Sequence, residues 1–184
     1  MTSTSLTTQD NASEYLRDSF FSMYHDFRFK HFYYSLYQGR SRKIDHCITG
    51  FSLLTSASSI VSWSAWSYVP SLLAVLFMIA QTLQVLKSLL PWSAQLSALK
   101  YFLPELEALT LEVEHNWHNL QLDRMPEHID ALDLIKNYRE QYRTLESKYI
   151  GSMSFDEVAS VTSAANEKTL KFFKFYFHTG TEGE

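Results

Sequence analysis

From Cys47 to Leu86 the chain runs forty residues without an Asp, Glu, Lys, Arg or His. An apolar helix needs only about 20 residues to cross the ~30 Å hydrocarbon core of a bilayer, so this run is long enough for two crossings. Trp63, Trp66, Ser67, Tyr68 and Pro70 interrupt it near the middle, where a tight connection fits. The pattern predicts a transmembrane hairpin, with one span from Ile44 to about Trp66 and a second from about Ser71 to Leu90. Arg40, Arg42 and Lys43 stand before the first span, Lys87 and Lys100 flank the exit, and the connection carries no charge. By the positive-inside rule both termini then face the cytoplasm, with Trp63, Trp66 and Tyr68 at the far interface and Trp92 at the near one.

The rest of the chain is polar enough to hide this segment, because the mean hydropathy is −0.18 overall. A single cysteine, Cys47, excludes an intrachain disulfide and a Cys-rich metal framework. The net charge of −4 is uneven: residues 88–184 hold nine Lys/Arg against fifteen Asp/Glu. That acidic part is a poor nucleic-acid surface, since phosphate neutralisation needs clustered cations. The first forty residues lack a basic region followed by a short apolar core, so the hairpin is expected to insert as mature structure.

The periodicities predict an all-α protein with four parts. Residues 1–43 hold an aromatic amphipathic helix, capped at Asn11 or Ser13 and running to about Gln38, with Gly39 as punctuation. Its ten aromatic residues suit either a membrane interface or packing onto the C-terminal helices, and both readings stay open. Residues 44–91 form the hairpin, 92–178 a cytosolic helical domain, and 179–184 a disordered tail. In the cytosolic part, Leu103, Leu106, Leu109, Val113, Trp117 and Leu120 mark a first helix that Pro104 kinks or restarts. Pro126 opens a second, whose seam is Ile129, Leu132, Ile135, Tyr138, Tyr142, Leu145 and Tyr149. Ser154 and Glu157 form a capping box for a last helix with Val158, Val161, Ala165, Leu170, Phe173 and Phe177 inside.

No catalytic constellation emerges from the sequence, and no cofactor is expected. His115 and His118 share a helical face, which permits a metal pair, but no third ligand accompanies them and packing is the simpler account. Arg40 and His46, with five residues between them, match the loose Arg-to-His spacing of HEPN-type ribonucleases. Arg40 is already explained by membrane topology. The feature with the best claim to a role is the hydroxyl stripe Thr49, Ser52, Ser56, Ser59 and Ser62, which recurs at steps of three and four on the first span. It either packs helices closely or lines water in an oligomeric pore.

An aromatic N-terminal helix, the basic collar Arg40-Ser-Arg-Lys43, two closely joined spans and a helical tail together resemble the SLATT group of small two-transmembrane bacterial proteins of anti-phage conflict systems. The small membrane accessory proteins of type VI CRISPR systems are a related likeness, which the Arg40-to-His46 spacing also fits. The resemblance is architectural and covers roughly residues 13–150. It implies a homo-oligomer in the lipid bilayer that forms a pore or depolarises the membrane when a cytosolic defence partner signals. A non-conducting anchor or adaptor for a cytosolic partner is the alternative, and a membrane-tethered nuclease the third reading.

Overall fold

The computed structural model describes residues 3–61, 75, 78, 79, 81, 82, 85, 92–122, 130–151, 153, 155 and 157–178. Four long helices are defined there, α1 (Ser3–Val61), α2 (Trp92–Gln121), α3 (Ala131–Tyr149) and α4 (Ala159–His178), and no strand occurs among the described residues. The all-α class is therefore as the sequence predicts.

Two expected boundaries are absent. α1 begins at Ser3 rather than near Asn11 or Ser13, and it continues through Gly39 to Val61 as one helix of 59 residues. A lone glycine costs a helix only about 1 kcal/mol relative to alanine, too little to end a long one that contains no proline. α2 likewise runs through Pro104 without a break. Proline in a helix interior costs about 3 kcal/mol. Full burial of Leu99, Phe102 and Leu106 on either side of Pro104 supplies an offset of that size.

α3 starts at an Asp130 cap, whose carboxylate accepts a hydrogen bond from the Leu132 amide at 2.8 Å. Pro126 and Ile129, the expected start, lie outside the described residues, as does Ser154 of the expected capping box. The Ile150 amide closes α3 on the Glu146 carbonyl at 2.8 Å. Gly151 follows where a Cβ would sit 3.0 Å from the Ser147 Cα, so the close approach requires glycine.

The chain divides into two units, residues 1–36 with 98–184, and residues 37–97. The first holds an apolar core in which Phe20, Tyr24, Phe102, Leu106, Val113, Tyr138 and Ala165 are fully shielded. In the second, Tyr37 is buried and its hydroxyl donates to the Gln95 Oε1 at 3.5 Å. The expected hairpin belongs to this unit. Its first half is helical to Val61, while the connection and most of the second half lie outside the described residues. Among the described residues no helix is long and apolar enough to cross a membrane.

Candidate functional site

The aromatic residues of α1 resolve the ambiguity left by the sequence. Spacing of three and four places Phe20, Tyr24, Phe27 and Arg28 on one helical face, and that face is buried against the other three helices. Phe20 stacks on Trp117 of α2 at 6.1 Å between ring centroids and meets Tyr138 of α3 edge-on at 6.4 Å. Phe27 lies 5.2 Å from Tyr142 of α3. Phe173 of α4 is enclosed by Phe21, Tyr24 and His25 at 5.3, 5.1 and 5.3 Å. Such pairs contribute about 0.5–1.5 kcal/mol each beyond the area they bury.

Inside this cluster sits a cation. Arg28 is buried, its Nη2 bonds the Glu114 carboxylate of α2, and its guanidinium lies 4.2 Å from the Phe172 ring centroid of α4. The same nitrogen donates to the Tyr24 hydroxyl at 3.4 Å. Burial pushes the Tyr24 phenol up to about 12 against the lowering influence of Arg28. The Arg28 Nε is buried without a hydrogen-bond partner. One charge pair thus ties three helices together. The sequence signal for its burial is its position one turn after Tyr24 in an aromatic stripe.

Two further polar groups border this core. Tyr138 donates to Glu112 at 3.2 Å and receives a hydrogen bond from Asn116, while burial raises its phenol to about 12. His31 is half-buried with its Nδ1 unbonded, and burial pushes its imidazole below the ordinary value of 6.5. The core therefore offers neutral phenols, a neutral imidazole and a paired guanidinium.

The residues singled out by sequence fall elsewhere. Arg40 and His46 are both exposed on α1, and six positions of a continuous helix separate them by about 120° around the axis and about 9 Å along it. Within one chain the two residues therefore stand on different sides of α1. Thr49, Ser52, Ser56 and Ser59 all lie on α1, and Ser62 lies outside the described residues. His115 is exposed, whereas the His118 ring is held at Nδ1 by the Glu114 carbonyl at 3.0 Å and is bonded by the Tyr176 hydroxyl. Among the described residues no group of His, Cys, Asp and Glu is arranged to hold a metal.

Two seam positions are corrected. Leu170, expected inside, is exposed, as is Leu132 of the α3 seam, and the buried stripes run through Ala131, Ile135, Tyr138 and Tyr142 on α3 and through Ala165, Thr169 and Phe173 on α4. No protein-family model, curated protein or solved structure matches this chain.

Proposed function

We propose that the chain is a homo-oligomeric membrane effector of bacterial anti-phage defence. It is anchored through a hairpin over about residues 44–91, has both termini in the cytoplasm, and conducts ions or depolarises the inner membrane. The observation that carries this reading is a burial pattern. In the charge-free run Leu53, Val75, Met78, Ile79 and Val85 are each 47–69 % exposed. Apolar area left in water forgoes about 25 cal/mol per Å², and contiguous apolar surface marks a membrane or protein contact. A forty-residue run without ionisable groups makes lipid the fitting environment. The Thr82 hydroxyl donates to the Met78 carbonyl four residues back at 2.8 Å, which satisfies it without water.

Reconstitution tests the reading. Full-length chain mixed with anionic phospholipid vesicles is expected to float with them, to resist extraction at alkaline pH, and to release a trapped small dye. Chain that stays at the bottom of the gradient without detergent would refute membrane insertion. Flotation with intact dye retention would leave the anchor and remove the pore.

A further inference from the structure

Helix α2 has a second face that the core does not use. Phe102, Leu106, Val113 and Trp117 point inward and are buried. About half a turn away, Tyr101, Ala108, Leu111, His115 and Leu122 recur at heptad spacing, all of them exposed. Tyr101, Leu111 and Leu122 are each more than half exposed. Exposed carboxylates flank this apolar crest, Glu107 on one side and Glu112 on the other. A crest of this kind is a seam for another helix, and its flanks choose which one. Pairing with the same face of a second copy would set carboxylates against carboxylates, which opposes binding.

A second surface of the same unit has the opposite character. The groove between α1 and α3, about 990 Å³ in volume, is walled by Tyr15, Leu132, Lys136, Arg139, Arg143 and Lys148, with Glu140 as its one acid. Tyr15 and Leu132 are exposed apolar side chains at its rim. Lys136, Arg139 and Arg143 form no ion pair among the described residues. The groove thus complements the α2 crest: it has apolar side chains to meet Leu111 and Tyr101, and cations to meet Glu107 and Glu112.

We propose that the acidic, apolar-crested outer face of α2 docks into the basic α1–α3 groove of a second copy of this chain. The contact joins two different surfaces, so a bound pair keeps one free face of each kind, and repetition builds a ring where the rotation between subunits closes. The proposal rests on the homo-oligomer reading above and names its interface. Charge fixes the direction of assembly, and Leu132, out of place in the core, becomes part of the joint.

The test is a charge swap on full-length protein in detergent, read by light scattering, with circular dichroism confirming the helical fold of each variant. Glu107→Lys with Glu112→Lys, or Arg139→Glu with Arg143→Glu, is expected to reduce the wild-type oligomer to single chains of 21.4 kDa at micromolar concentration. An equimolar mixture of the two variants is expected to regain the oligomer, because each reversed face now fits the other variant. Both variants keeping the wild-type mass would overturn the interface, as would a mixture that stays monomeric while both remain helical. Glu107→Lys alone and Arg143→Glu alone repeat the swap if a double variant loses its helical signal. A wild-type chain that is itself monomeric would remove the oligomer reading and this interface with it. An oligomeric wild type indifferent to both reversals would remove the interface only.

Discussion

The Arg28 guanidinium and the Glu114 carboxylate, 86 residues apart in the chain, close on each other inside the helical core. The pair is unequal, with the Arg28 side chain 9 % exposed and that of Glu114 18 %. Removing the acid strands a buried cation, and breaking such a pair costs about 3–5 kcal/mol. Glu114→Gln is therefore expected to lower unfolding stability by about 3 kcal/mol, the low end because Glu114 keeps some water. Arg28→Met with Glu114→Leu should lose less than the two single changes summed. Urea denaturation of the four proteins measures this, and strict additivity would mean that the two groups do not interact.

Gly39 and Gly151 should respond oppositely to alanine. Nothing lies within 4 Å of a Cβ built at Gly39, which sits inside α1. Gly39→Ala is expected to stabilise by about 0.5–1 kcal/mol. Gly151→Ala should destabilise, because its Cβ would press on the Ser147 backbone at 3.0 and 3.1 Å. A loss of stability in Gly39→Ala would contradict a continuous helix there.

Protonation of His31 gives the fold an acid-sensitive point. Its folded-state value lies below the ordinary 6.5 through burial, with Arg28 lowering it and Glu107 raising it. The unfolded chain then binds the proton first as pH falls through 6.5, so stability drops on acidification and is retained above that pH. The decrease in melting temperature between neutral and mildly acidic buffer should be smaller in His31→Phe. Parallel pH profiles for variant and wild type would exclude His31 as the source.

Truncation at two neighbouring positions of α4 separates core from surface. Phe173→Ala is expected to cost about 3–5 kcal/mol, the usual range for a buried phenylalanine. Leu170→Ala, at an exposed site, should stay within about 0.5 kcal/mol of wild type. Equal costs would place both side chains inside.

Ser56→Leu and Ser59→Leu address the hydroxyl stripe. If the stripe faces water in a pore, a leucine there narrows and dries the lumen, and hydrophobic constrictions gate by dewetting. Dye release should then fall while the oligomer survives. Loss of the oligomer in light scattering would assign the stripe to helix packing, and unchanged release from intact oligomers would remove it from the pore.

The helical class and most core positions could be read from the sequence because burial repeats at helical steps. What escaped reading was the polar part of the buried faces. Thr110 and Thr169 are fully buried because each hydroxyl bonds a carbonyl one turn back, on Leu106 at 2.7 Å and on Ala165 at 2.8 Å. A threonine satisfied by its own helix is apolar to its neighbours, yet hydropathy scores it as polar, which moved the expected α4 stripe onto Leu170. The burial of Arg28 was not legible for a related reason: its neutralising acid lies on another helix, and no local pattern announces it. Gly39 was over-read, since glycine ends a helix only when geometry at that point favours stopping. The hydroxyl stripe could be read as a pattern, but one chain does not reveal what faces it.

The distance in sequence between Arg28 and Glu114 also sets a timetable for synthesis. At about 5–20 residues per second, a ribosome that has finished Arg28 needs some four to seventeen seconds to deliver the acid 86 residues later. During that interval Phe20, Tyr24 and Phe27 are made but cannot be covered, and the charge-free run emerges before their partners do. The nascent chain therefore presents its most adhesive surfaces first. Whatever shelters them in those seconds, whether a chaperone or the bilayer itself, acts before the helical unit has any core to offer.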